Sequence, residues 1–200
     1  MIVPDPLSGV ITALGRVSSS SSDFDLNPDV ILPQGRSLRP AGVLVGFVER
    51  AGGVQVILTK RSSALRHHPG QIAFPGGKQD EGDSDVIATA LREAHEEVGL
   101  HPDMTQVLGT FPCHETVTSF TMTPVLARVD PAFRPVSEPG EVEEVFEVPL
   151  THLADPENYL VQSRQWRGQR RHYFVVPYGP YYIWGATARI LRGLADRMAG

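Results

Sequence analysis

Residues 76–100 read GGKQDEGDSDVIATALREAHEEVGL, and this stretch decides the fold and the chemistry. Val86, Ile87, Ala90, Leu91, Ala94 and Val98 recur at helical spacing, which predicts a helix over residues 85–99. Asp83 or Ser84 suits its start and Gly99 its end. Each helical residue turns the chain by about 100°, so Glu93 and Glu97 stack one turn apart and Glu96 lies on the adjoining side. Three carboxylates gathered so closely repel one another. A hard divalent cation removes that repulsion, because Mg²⁺ takes oxygen ligands. A glycine turn ahead of the helix lets backbone carbonyls approach the same ion. The same residues also suit a solvated acidic face, with Arg92 pairing Glu96 at i, i+4.

The glycines before the helix and the Val-Gly-Leu after it distinguish these readings. Gly77, Arg92, Glu93, Glu96, Glu97, Gly99 and Leu100, with Ala94 at an apolar position, resemble the box of the Nudix hydrolases. The departure lies at the first acidic position. Asp83 stands where the box carries Glu, and one residue more than the pattern then precedes Arg92. The resemblance implies an α/β fold, an α/β/α sandwich in which the box is a loop-helix-loop holding Mg²⁺ or Mn²⁺. It implies hydrolysis of a nucleoside diphosphate joined to another group. By matching positions, Glu93, Glu96 and Glu97 are the expected metal ligands, the Gly76 carbonyl is a fourth, and Arg92 orients the carboxylates.

The segment before the box, residues 56–77, reads VILTKRSSALRHHPGQIAFPGG. Leu58, Thr59, Arg61, Ser62, Ser63, Gly70, Gln71, Phe74, Pro75, Gly76 and Gly77 resemble the extra signature of the coenzyme A pyrophosphatase branch. A weaker likeness covers Trp184 to Ala188. Coenzyme A carries a 3′-phosphate beside its diphosphate, and Lys60, Arg61, Arg66, His67 and His68 offer positive charge. Arg61, Ser62, Ser63 and His68 are the expected substrate contacts, against the alternative of a solvated basic loop. Lys60 and Arg61 are expected on opposite faces of a strand. The expected reaction splits coenzyme A or acyl-CoA into 4′-phosphopantetheine, or its acyl form, and adenosine 3′,5′-bisphosphate. The alternatives are another nucleoside diphosphate derivative such as ADP-ribose or NADH, and a non-catalytic nucleotide-binding module.

A general base is expected from outside the box. Glu141 is the first candidate, with Glu143 and Glu144 after it, from a segment that also holds Glu138 and Glu147. Glu96 is the alternative base. Residues 114–118, HETVT, could line a substrate cleft but suit loop packing better. The aromatic run 178–184 suits core packing, with adenine stacking the lesser reading.

The remaining chain frames this centre. Residues 41–48 and 54–58 are β-rich runs around Ala51-Gly52-Gly53, which predicts a hairpin. A basic loop over residues 60–70, a short strand at 72–74 and strands over 107–111, 122–129, 159–161 and 172–176 follow. Residues 142–149 are open between helix and strand, and 184–198 predict an amphipathic helix. Residues 1–40 are expected to be an extension with a short helix at 7–16, a flexible serine run at 18–22, and Pro28, Pro33 and Pro40 beyond it. Residues 41–200 are expected to form the hydrolase domain.

With 200 residues, 41% of them hydrophobic, the chain has material for one good-sized core. A net charge of -5 argues against a general nucleic-acid binder but not against a small anionic ligand. The single cysteine, Cys113, excludes an intrachain disulfide framework and a multi-cysteine zinc site, and suits a small buried residue. No apolar run approaches the roughly 18 residues a membrane span needs. The first residues lack a basic n-region, so a cytoplasmic enzyme acting on a small molecule, as a monomer or homodimer, is expected.

Overall fold

The computed structural model describes residues 4–17, 19–32, 35–166 and 168–200. The expectations placed on residues 1–3, Ser18 and Pro33 lie outside these.

Strand β2 (Arg39–Arg50) turns at Ala51-Gly52 into β3 (Gly53–Arg61), pairing antiparallel as the hairpin reading expects. β2 also runs parallel to β8 (Phe120–Val129), while β3 takes β9 (Val142–Pro149) on its other side. β4 (Ile72–Ala73) joins β3, and β5 (Gly76–Lys78) joins β2. β6 (Thr105–Thr110) and β7 (His114–Glu115) lie on β8, and β1 (Ser21–Ser22) closes the order beside β7. Among the described residues this is one nine-stranded mixed sheet.

Helices cover both faces, which is why the central strands are apolar on both sides. Val43, Val45 and Phe47 point to one core with Leu7, Val10 and Ala13 of α1 (Ser8–Leu14) and Leu191 and Leu194 of the C-terminal helix (Ala186–Ala199). Leu44 and Val48 point the other way, onto Ala90, Ala94 and Val98 of α2 (Val86–Val98). The expected α/β/α sandwich is therefore the observed one. No described helix is long and apolar enough to cross a membrane.

Several expectations change. Asp85, rather than Asp83 or Ser84, caps α2: it is extended and its carboxylate accepts from the Ile87 and Ala88 amides at 2.9 and 2.8 Å. Residues 142–149 are a strand, because β3 offers them a full ladder. Trp184 ends a strand, β12 (Tyr181–Trp184), rather than starting the last helix. β12 pairs with β11 (Gln169–Tyr178), which pairs with β10 (Leu160–Trp166), giving a separate three-stranded sheet. The basic loop begins only after Arg61, since β3 runs to that residue. Ser21 and Ser22 are paired with His114 and Glu115 instead of forming a free linker. Cys113 is half-buried, its sulfur 3.4 Å from the Thr123 hydroxyl.

Candidate active site

Helix α2 carries the acidic cluster, and Arg92 organises it. The Arg92 Nε and Nη2 groups donate to Asp83 at 2.9 Å each, and Nη1 donates to Glu93 at 2.9 Å and Glu96 at 3.0 Å. Asp83 also accepts from the Asp80 amide and the Thr89 hydroxyl, both at 3.0 Å. The Arg92 guanidinium, with those two donors, holds the Asp83 carboxyl well below the usual carboxylate range. So Asp83 is anchored to Arg92 despite the extra residue in the loop between them.

The three helix acids differ in environment. Glu96 is exposed, with 57% of its side chain open, while Glu97 is only 4% exposed. Burial pushes the Glu97 carboxyl up to about 7; Glu93 and Glu141 add to this, and the Gly76 amide, donating at 3.1 Å, and Arg61 oppose it. Burial raises Glu93 as well, with Arg92 opposing it. Gly77 makes room for Glu93: a Cβ there would lie 2.6 Å from its carboxylate.

Among the described residues no group of three His, Cys, Asp or Glu side chains stands ready to hold a metal ion. Arg92 draws Glu93 and Glu96 to itself, and Glu97 turns to the Gly76 amide. The donors nevertheless fit a hard divalent cation in kind. All are carboxylate oxygens, and burial disfavours the charged form of Glu93 and Glu97, a cost that a cation offsets. Arg92 occupies one oxygen of Glu93 and one of Glu96, which leaves the second oxygen of each for an ion.

The acids expected outside the box separate clearly. Glu143 pairs with Lys60 at 2.6 Å, Glu144 accepts from the Tyr181 hydroxyl at 2.6 Å, and Glu147 pairs with Arg50. Glu138 accepts from the Glu141 amide at 2.8 Å. Of the five, only the Glu141 carboxylate enters no hydrogen bond among the described residues, and its charge is felt by Glu93 and Glu97. Its backbone is fixed by the Ser62 amide, which donates to the Glu141 carbonyl at 2.8 Å.

A cavity of about 450 Å³ opens beside Gly76 and Gly77. Arg61 and His68 line it, whereas Ser62 and Ser63 do not. The Ser62 hydroxyl accepts from the Ala64 amide inside its own loop, and the Ser63 amide donates to Glu143. These two serines shape the loop rather than the cavity wall. Lys60 points away to Glu143, as strand alternation requires. Thr116, Val117 and Thr118 do line the cavity, while His114 is fully buried between Ser21 and Asp23. Sequence reasoning missed Asp23, Asn27, Arg164, Arg171 and Tyr173 in the lining. They come from segments far apart in the chain, with no local pattern to unite them.

Residues 38–167 match the model of the NUDIX domain family. The chain is 41% identical over 157 residues to a protein of Enterobacter sp. (strain 638) named uncharacterized Nudix hydrolase NudL, covering 78% of this chain and 81% of that one. The protein of the same name from Citrobacter koseri is 39% identical over 182 residues, covering 89% and 94%. Among solved structures, a MutT/nudix family protein from Enterococcus faecalis superposes with a TM-score of 0.53 over 86% of this chain and 66% of that one. At 14% identity it bears on the fold alone.

Proposed function

The chain belongs to the Nudix hydrolase family, and from that premise we propose that it hydrolyses the diphosphate of coenzyme A or acyl-CoA. The products are 4′-phosphopantetheine, or its acyl form, and adenosine 3′,5′-bisphosphate. The observation that carries this reading is the cavity beside the acidic helix. It is large enough for a bulky diphosphate ester and is lined by Arg61 and His68 next to Gly76 and Gly77.

Glu93, Glu96 and Glu97, with the Gly76 carbonyl, would hold the divalent ion. Mg²⁺ or Mn²⁺, when bound, supplies positive charge to the diphosphate oxygens and makes a water more acidic. Arg92 acts one step back. Its fork spans Asp83, Glu93 and Glu96, so it sets where the two helix acids can reach. Glu141 is the residue to take the proton of the attacking water, because its charge acts on Glu93 and Glu97 while its carboxylate enters no hydrogen bond among the described residues; Glu96 is the alternative base. Arg61, in the cavity wall and electrostatically coupled to Glu97, suits a diphosphate oxygen at the same end, and His68 borders the same space. Water oxygen adds to one phosphorus, the bridging P–O bond breaks, and the departing half leaves as a phosphate.

A substrate comparison with Mg²⁺ tests this. Turnover of coenzyme A, expressed as kcat/KM, is expected to exceed that of ADP-ribose by at least about tenfold. Equal or better turnover of ADP-ribose overturns the assignment of substrate and leaves the hydrolase.

A further inference from the structure

Besides Gly76, Gly77, Arg61 and His68, the cavity has a further wall, one face of the small sheet. Register sets Arg164 of β10 opposite Arg171 of β11, and Gln162 opposite Tyr173. Trp184 of β12 stands opposite Val175. Alternation therefore puts Arg164, Arg171, Tyr173 and Trp184 on the same face, and all four line the cavity. The opposite face sends Phe174, Val176 and Ile183 into the core.

Two guanidinium groups directly opposite one another repel, so strand pairing alone gives no reason for the arrangement. A bare surface pair would splay into water. Here rings hold both groups in place. The Arg164 guanidinium carbon lies 4.4 Å from the centroid of Trp184 and 5.9 Å from that of Tyr173, and those two rings meet edge to face at 5.3 Å. The Arg171 guanidinium carbon lies 5.7 Å from the Phe24 centroid. Cation–π contacts orient a guanidinium without cancelling its charge. Among the described residues Arg164 enters no ion pair. The acid in this wall, Asp23, spends its carboxylate on His114 Nε2 at 3.1 Å and on the Val117 amide at 2.8 Å.

We infer that Arg164 and Arg171 form a receptor for a phosphate monoester of the substrate, remote from the diphosphate that is cut. The inference rests on the hydrolase reading of the same cavity and deepens it. The helix acids repel a phosphate at their own end unless a cation screens them, whereas the arginine pair offers a bidentate fork at the other. For coenzyme A the monoester is the 3′-phosphate. The second sheet thus becomes the element that selects among diphosphates.

Calorimetric binding of adenosine 3′,5′-bisphosphate and of adenosine 5′-monophosphate to the full chain tests it, in wild type, Arg164→Gln and Arg171→Gln. The wild type is expected to favour the bisphosphate by at least about tenfold, and each substitution is expected to erase most of that ratio. Monophosphate binding, read in the same experiment, reports that the variants are folded. A ratio near one in the wild type, or a ratio kept in both variants, overturns the inference. An arginine-dependent ratio in a wild type that leaves coenzyme A intact supports this inference and removes the coenzyme A assignment instead.

Discussion

A carboxyl group taken out of water ionises only if something nearby favours the charge, and Glu97 has little that does. The Gly76 amide and the charge of Arg61 help it, while Glu93 and Glu141 work against it. Its folded value, raised from 4.5 to about 7, lies above the unfolded one, so the folded chain holds a proton that the unfolded chain has lost. Stability from this group is intact below pH 4.5 and falls as pH rises toward about 7. The loss amounts to at most about 3 kcal/mol. In metal-free protein, Glu97→Gln keeps an oxygen for the Gly76 amide and removes the titration. Urea unfolding with chelator should therefore show the variant gaining on the wild type as pH rises across that window. A constant difference at all pH values would mean that Glu97 ionises normally. The same substitution should lower metal-dependent kcat by about a hundredfold or more, because the charge costly to folding is the one a cation needs. Unchanged turnover would remove Glu97 from the ligand set.

Those carboxylates are only as well placed as the helix that bears them, and α2 lies unusually close to β2. At Gly42 an added Cβ would sit 2.2 Å from the Val86 carbonyl oxygen and 3.0 Å from the Ala90 amide, both backbone atoms that cannot swing aside. Gly42→Ala must lift the first turns of α2 off the sheet, at a cost of about 3 kcal/mol. Gly46→Ala on the same strand meets the Val129 side chain at 3.2 Å, which can yield, and serves as the comparison. Thermal melting should show the larger drop for Gly42→Ala. Equal drops would mean that helix contact is not what requires glycine at residue 42. The α2 helix itself was legible in the sequence, since six apolar residues, an acidic cap and a terminal glycine all agree on it. Strand β9 was not. Val142, Val145 and Phe146 fit helical spacing while Phe146 and Val148 alternate, so pairing with β3 decides the outcome. The cap moved from Asp83 to Asp85 because Arg92 and Thr89 claim Asp83, a tertiary demand that local spacing does not record.

Across the whole molecule the cavity wall is drawn both from inside and from outside the stretch shared with the family. The acidic end lies inside residues 38–167, the stretch shared with the family, and could be read from a contiguous motif. The small-sheet side takes Asp23 and Asn27 from before that stretch, Arg164 from near its end, and Arg171, Tyr173 and Trp184 from after it. Reading such a wall from sequence would require knowing the second sheet, whose last strand looks in sequence like an aromatic run leading into a helix. Asn27 is the joint between these segments. Its side-chain amide donates to the His172 carbonyl at 2.9 Å, and its side-chain oxygen accepts from the His172 amide at 2.8 Å. The amide also reaches the Asp23 carbonyl at 3.3 Å, and the residue is 8% exposed. Asn27→Ala removes both side-chain hydrogen bonds to the His172 peptide group, a loss of about 2 kcal/mol. The cost should be local, because the main sheet and α2 make none of these bonds. Hydrogen exchange at the His172 amide should accelerate while amides of β2 and β3 keep their protection. KM for coenzyme A should rise more than kcat falls, since the acids and Arg92 stay where they are. If kcat falls and KM holds, the N-terminal segment serves the acidic end, and the division of the cavity into a cutting end and a selecting end is wrong.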